Sequence, residues 1–131
     1  MYQRITRSIE VTVTPTYLDD RSAPSDERYI WAYKVRIANQ GGETVQLRMR
    51  HWRITDAIGH FEEVHDRGVV GQEPVLRPGD VFEYTSFSGF LPTPSGIMAG
   101  SYDMETEKGE TFAVEIPAFS LDSPYQERRL H

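Results

Sequence analysis

The sequence predicts an all-β fold, a seven-stranded antiparallel β-sandwich of the immunoglobulin-like or fibronectin III-like type. Polar and apolar residues alternate with period two along most of the chain, as in strands that bury one face. Turn-forming segments separate these stretches about every 8–12 residues, the spacing typical of sandwiches. No window shows the helical period. A small β-barrel is the alternative architecture.

Length and composition limit the functions that this chain can have. Its 131 residues suit a single domain, 1–131. With 14 basic and 20 acidic residues the formal net charge is −6, which disfavours broad nucleic-acid binding. Cysteine is absent, so disulfides, thiolate nucleophiles and cysteine-ligated metals are excluded.

The first two predicted strands are the most regular. Residues 8–17 alternate strictly, and the polar residues 18–26 form a loop. The second strand covers residues 28–39, with Trp31 as the candidate core tryptophan, and a hairpin turn follows at 39–42.

The third predicted strand starts at Thr44 and changes its apolar parity before Trp52. Because a one-residue slip turns every side chain to the other face, we expect a bulge near His51. Upstream of that bulge, Arg48 and Arg50 are expected on the outer face.

Four further strands complete the prediction. They cover residues 60–64, 81–87, 97–105 and 111–119, with a long Gly- and Pro-containing loop at 65–79. The polar ends, 1–7 and 120–131, are expected to be flexible.

The loop that follows the fourth strand invites comparison with the phosphate-binding pattern GxGxxG. Its candidate ligand-binding residues are Arg67, Gly68, Val69, Val70 and Gly71. A small anion, such as the pyrophosphate of a nucleotide, would need free backbone N–H groups there. Proline and glycine prevent a helix after the loop, so the pattern lacks its usual context. The alternative is a structural connection whose valines fill the core.

Side chains for catalysis or metal binding do not form a recognisable pattern. His60 and Glu62 share one strand face, and Glu63 and His65 the other, which gives fewer ligands than a zinc site requires. No nucleophile elbow occurs, and adjacent carboxylates on a strand point to opposite faces. We therefore expect no catalytic residues, no metal site, no cofactor and no enzymatic activity.

Two sets of residues are candidates for binding a partner. Arg48 and Arg50, extended by Arg53, are expected to form a basic stripe, or else to pair with acids such as Glu83 on neighbouring strands. A Gly- and Pro-rich loop carries the second set, which is Phe87, Phe90 and Leu91. Apolar rings on a loop either cap the core or contact a partner.

Short motifs along nearly the whole chain resemble the ApaG family. They include Tyr17-Leu18, Arg50-His51-Trp52, Gly68-Val69-Val70-Gly71, Thr93-Pro94-Ser95-Gly96 and Ile116-Pro117-Ala118-Phe119. The resemblance implies a fibronectin III-like sandwich in a bacterial cytoplasmic protein associated with cobalt and magnesium resistance or efflux. Related domains mediate protein contacts in F-box proteins and in a DNA polymerase delta-interacting protein. The family's GxGxxG loop is altered here, because Asp66 stands at the first glycine.

These observations lead to one functional hypothesis and two alternatives. The hypothesis is a non-enzymatic protein-interaction module in the cytoplasm, whose partner is another protein and which does not insert into membranes. The first alternative is small-anion or nucleotide binding through the Gly68–Gly71 loop, and the second is direct binding of a divalent cation, which the resemblance to the ApaG family and the net charge of −6 suggest. The oligomeric state stays open.

Overall fold

Two antiparallel β-sheets packed face to face make up residues 1–126, the part of the chain that the computed structural model describes. The all-β sandwich prediction is therefore confirmed. The strands are β1 (Tyr2–Thr6), β2 (Ile9–Tyr17), β3 (Trp31–Asn39), β4 (Val45–Asp56), β5 (Phe61–Arg67), β6 (Val75–Leu76), β7 (Val81–Phe87), β8 (Gly96–Thr106) and β9 (Thr111–Leu121).

One sheet has the strand order β1-β2-β3-β7, and the other has the order β5-β4-β8-β9 with β6 paired to β4. Two of the nine strands, β1 and β6, were not among the seven predicted. Strand β6 has only two residues, too few to show an alternation. Strand β1 is an edge strand with mostly exposed side chains, so it lacks the apolar face that marks β2.

Both predicted flexible ends are wrong over part of their length. Residues Tyr2–Thr6 pair in register with β2, and β9 continues to Leu121, which is fully buried. Beyond β9, the backbone carbonyl of Asp122 accepts a 2.8 Å hydrogen bond from the indole Nε1 of Trp31. This bond ties the C-terminal segment to the core. Residues 127–131 of the predicted tail lie outside the described residues.

The bulge in β4 occurs earlier than predicted. The register between β4 and β8 shifts between Leu47 and Met49, not near His51. As a result Arg50 lies opposite the fully buried Tyr102 and faces the space between the sheets. The prediction that Arg50 points outward is wrong, because the side-chain parity has already switched before it.

Large rings fill the space between the sheets. Trp31 is 1% exposed, which confirms it as a core tryptophan. Tyr33 packs against Trp52 with ring centroids 5.3 Å apart, and Phe119 lies 5.9 Å from both rings. Edge-to-face and tilted contacts of this kind stabilise a core beyond the area that they bury.

Candidate functional site

The Gly68–Gly71 loop is a tight hairpin rather than an open cradle. Val69 and Gln72 exchange two backbone hydrogen bonds, of 2.8 and 2.9 Å, around a two-residue turn. Both turn residues, Val70 and Gly71, take positive φ, at 44° and 79°. This conformation is costly for a β-branched residue such as Val70.

Most polar backbone groups of this loop already have partners within the protein. The N–H of Gly68 donates to the carbonyl of Arg48, and the N–H of Arg67 donates to the carboxylate of Asp66. Among the described residues, only the N–H groups of Val70 and Gly71 in this loop donate to no other group. An anion would therefore find two free donors at the tip, not a ring of them.

Arg50 holds this loop against the sheet. Its Nη1 donates to the carbonyls of Arg67 and Gly68, at 3.0 and 2.9 Å, and its Nη2 lies 3.3 Å from the carboxylate of Asp66. Val69 is 1% exposed and fills the core as the structural interpretation expected, whereas Val70 is 51% exposed, so that interpretation is wrong for Val70. The guanidinium of Arg50 is thus used to hold the chain's own backbone.

Arg48 and Arg50 do not form the expected basic stripe, since they lie on opposite faces of β4. Arg48 points outward and donates to Glu105 at 2.9 Å and to Glu73 at 3.3 Å. These hydrogen bonds and charges raise the pKa of its guanidinium. The expected acid, Glu83, pairs instead with Lys34 and Arg36. Both candidate arginines are therefore neutralised or occupied within the fold.

The second candidate set separates into an anchor and two exposed rings. Leu91 is buried, and it exchanges backbone hydrogen bonds of 2.7 and 2.9 Å with Tyr29. Phe87 and Phe90 remain about half exposed, at 49% and 50%. Capping of the core thus describes Leu91, whereas the two rings present apolar surface to solvent.

Arginine guanidinium groups stack on three exposed phenylalanine rings at this end of the sandwich. Distances from guanidinium carbon to ring centroid are 5.3, 4.2 and 3.9 Å in the three pairs. Within residues 1–126, none of the three arginines lies within ion-pair distance of a carboxylate. We call these residues the Arg–Phe surface: Arg21 with Phe87, Arg28 with Phe90, and Arg53 with Phe61.

A cavity of about 370 Å³ opens beside this surface, between the start of β5 and the loop that follows β7. Phe61 and Phe90 both line it, and Leu91 and Pro92 contribute further apolar wall. Asp56, His60 and Glu62 also border it, and the carboxylate of Asp56 accepts the N–H groups of the following turn. The cavity joins two of the three Arg–Phe pairs into one concave surface.

Four of these six residues were missed, or assigned elsewhere, in the sequence prediction. Arg21 and Arg28 lie in the β2–β3 loop, whose path no pattern specifies. Arg53 and Phe61 carried a detectable signal. The turn between β4 and β5 pairs these two strands so that Arg53 and Phe61 become diagonal neighbours, the arrangement that lets long side chains touch.

No group of three or more His, Asp or Glu side chains in the described part of the chain is placed to hold one metal ion. No helix within residues 1–126 has the length and apolar content needed to cross a membrane.

The family model for the ApaG domain matches residues 19–106, which include all of the Arg–Phe surface and the glycine loop. The chain belongs to the ApaG family. It is 62% identical to Protein ApaG of Paramagnetospirillum magneticum and 60% identical to that of Parvibaculum lavamentivorans, each over the full length of both chains.

The solved structure of a relative has the same fold as this chain. The crystal structure described as the putative ApaA protein from Bordetella pertussis is 47% identical to this chain. The match covers 90% of this chain and 95% of that one, with a TM-score of 0.86. The ApaG sandwich is thus common to this chain and that relative.

Proposed function

We propose that this ApaG-family chain is a non-enzymatic interaction module that binds another protein through its Arg–Phe surface. The observation that carries the proposal is the set of three arginines stacked on exposed phenylalanine rings, none with a carboxylate partner in residues 1–126. Arginine and aromatic side chains are the types enriched at the energetic centres of protein interfaces.

In the free protein, the Arg–Phe surface leaves its rings in water and its guanidinium groups without a carboxylate. Exposed rings gain free energy when a partner removes them from water, at roughly 25 cal/mol per Å² of apolar area. Stacking fixes each guanidinium before binding, so less side-chain entropy is lost in the complex. Its N–H groups remain available for a partner's carboxylate, which they bind in a bidentate manner.

The charge of the surface indicates the chemistry of the partner. Although the whole chain carries a net charge of −6, this end presents three arginines that form no ion pair within the described residues, while Glu63 lies opposite Arg53 in the strand register and Glu62 borders the cavity. An acidic segment that also carries an apolar anchor matches it, with the carboxylates on the arginines and the anchor in the cavity near Phe90.

Anion binding through the glycine loop is the weaker alternative. The free N–H groups of Val70 and Gly71 are the only observation that favours it. Asp66 beside the loop opposes it, because its carboxylate repels phosphate. Titration of 15N-labelled protein with ATP and diadenosine polyphosphates tests it, since binding would shift the amide resonances of these two residues first.

The association of the family with cobalt and magnesium resistance enters the proposal indirectly. In this proposal a protein partner performs the transport or its regulation, and the ApaG-family chain acts on that partner from the cytoplasm.

Pull-down from a lysate of the source bacterium tests the main proposal. The wild-type chain and the double variant Phe87→Ala, Phe90→Ala are compared with a matched control, Val75→Ala, Val81→Ala, which removes similarly exposed apolar groups elsewhere. We expect a protein that wild type and control both capture and that the phenylalanine variant loses. Equal capture by all three forms would refute the proposed surface.

Charge reversal refines the same experiment. Arg28→Glu should abolish capture, because the guanidinium over Phe90 would be replaced by a carboxylate that repels an acidic partner. The control is Arg77→Glu, at an arginine that pairs with Asp80 away from this surface. Equal loss with both variants would indicate a general charge effect rather than recognition by the Arg–Phe surface.

A further inference from the structure

Two histidines face each other on the outer surface of the second sheet. His51 of β4 and His65 of β5 are directly opposed in the strand register. Their Nδ1 atoms are 2.9 Å apart, and the ring planes are nearly perpendicular, at 85°. The sequence analysis grouped histidines only along single strands, so it did not bring these two together.

A carboxylate lies on the far side of each ring. The Nε2 atom of His51 is 2.8 Å from Asp103, and the Nε2 atom of His65 is 3.6 Å from Glu63. Carboxylates in this position hold the outer N–H of a metal-bound imidazole and fix the tautomer that leaves the other nitrogen free. In His51 this leaves Nδ1, which faces Nδ1 of His65, as the nitrogen without a proton.

A neutral histidine pair satisfies this arrangement less well. If His65 donates its Nδ1 proton to His51, its Nε2 has no proton and its lone pair faces the carboxylate of Glu63. A metal ion between the two Nδ1 atoms removes this conflict, because both rings then carry their proton on Nε2, where His51 donates to Asp103 and the N–H of His65 faces Glu63 at 3.6 Å. We propose that His51 and His65 bind one divalent transition-metal ion through their Nδ1 atoms.

The nitrogen separation indicates which metals fit. Two nitrogens about 2.05 Å from one ion are roughly 2.9 Å apart at a 90° angle, and about 3.3 Å apart at the tetrahedral angle. The observed 2.9 Å matches the right-angle geometry of Ni²⁺ and Cu²⁺ better than the tetrahedral geometry of Zn²⁺. Mg²⁺ prefers oxygen ligands and is not expected to bind.

The surroundings leave space for the ion and for water. His51 and His65 border a shallow depression that Ser101 and Glu115 also line. Gly100 borders the same depression, and because it has no side chain it takes up none of this space. Arg53 also borders the depression, but its guanidinium stacks on the ring of Phe61, at 3.9 Å, rather than on either histidine ring. Because the described residues offer no group of three ligands to a single ion, water completes the coordination.

Calorimetric titration of the full chain with Ni²⁺ tests the site. We expect one ion to bind, with about tenfold or greater loss of affinity in His51→Gln and in His65→Gln. His60→Gln is the matched control and should change the affinity less than about twofold. Asp103→Asn should weaken binding by about 10- to 100-fold, since it removes the carboxylate that orients His51.

A second readout separates metal binding from folding. Because bound metal stabilises only the folded state, Ni²⁺ should raise the melting temperature of the wild type and leave that of His65→Gln unchanged. Without metal, the two proteins should melt within about 2 °C of each other, since His65 is largely exposed. Absence of Ni²⁺ binding at about 1 mM, or equal loss in the His60 control, would overturn the proposal.

Discussion

The arginines around the glycine loop and those of the Arg–Phe surface differ in what satisfies their charge. Arg50 donates to two backbone carbonyls and contacts Asp66, and Arg48 is held by two glutamates. Arg21 and Arg28 instead lie over aromatic rings and have no acidic partner within the described residues. Groups that satisfy backbone polar groups, as Arg50 does, stabilise the fold, exposed ion pairs such as those of Arg48 add little, and groups left unsatisfied are available to a partner.

The two regions should therefore respond differently to substitution. Substitutions around the glycine loop should lower the free energy of unfolding. Substitutions in the Arg–Phe surface should reduce partner binding and leave stability nearly unchanged.

Gly68→Ala should cause the greatest loss of stability. Gly68 has φ +60°, and a Cβ added there would lie 2.2 Å from the carbonyl oxygen of Gln72. Since backbone must move to relieve this overlap, we expect the free energy of unfolding to fall by about 3 kcal/mol or more in urea titrations. The control is Gly71→Ala, where φ is also positive but the space is open, and which should cost only about 1 kcal/mol. Equal losses would contradict the role given to the hairpin.

Arg50→Met should lower the free energy of unfolding by about 2 kcal/mol. The change leaves the carbonyls of Arg67 and Gly68 without their donor while keeping most of the aliphatic packing. Arg48→Met is the matched control on the outer face, and its urea midpoint should stay close to that of the wild type. A larger loss at Arg48 than at Arg50 would contradict the role given to Arg50 in holding the loop.

Alkaline pH should destabilise the region next to Arg50. Burial raises the pKa of Tyr84 and of Tyr102, whose hydroxyls form a hydrogen bond with each other. Above pH 10 the unfolded chain loses these protons while the folded chain keeps them, so stability falls by about 1.4 kcal/mol per pH unit for each tyrosine. Urea unfolding between about pH 9.5 and 11 measures the slope, which Tyr84→Phe should reduce by one tyrosine's share. An unchanged slope would show that Tyr84 ionises normally in the folded protein.

The double variant Phe87→Ala, Phe90→Ala should have the smallest effect on stability. Both rings are already about half exposed, so we expect a change in the free energy of unfolding of less than about 1 kcal/mol. A loss above about 2 kcal/mol would mean that the rings support the fold, and the pull-down would then need the charge variant Arg28→Glu in their place.

Alternation in the sequence was enough to predict the sandwich, because each of β2, β3, β7, β8 and β9 buries one face. Strand β1 could not be predicted in this way, since its edge position leaves most of its side chains in water. The sequence predicted the bulge three residues too late. Met49 is apolar and so continued the apparent alternation, although it lies on the outer face of β4, just after the register shift. Local polarity does not specify which residue of a strand lacks a partner.

Site prediction was less complete, and the reason is physical. Phe87 and Phe90 stood out because rings in a Gly- and Pro-rich loop are unusual. Their arginines could not be assigned, since the stacking joins segments as distant as Arg28 and Phe90. The His51–His65 pair was recoverable in principle from the turn at 56–59, because that turn fixes which residues of β4 and β5 are opposite.

Photocrosslinking tests the central claim most directly, that a partner protein covers the Arg–Phe surface. A photoreactive phenylalanine analogue is placed at position 90 in one protein and at position 75 in another, because both positions are about half exposed. Irradiation in cells of the source bacterium should yield a crosslinked partner from position 90 only, and Arg28→Glu should remove it. The same crosslink from both positions, or none from position 90, would contradict the proposal.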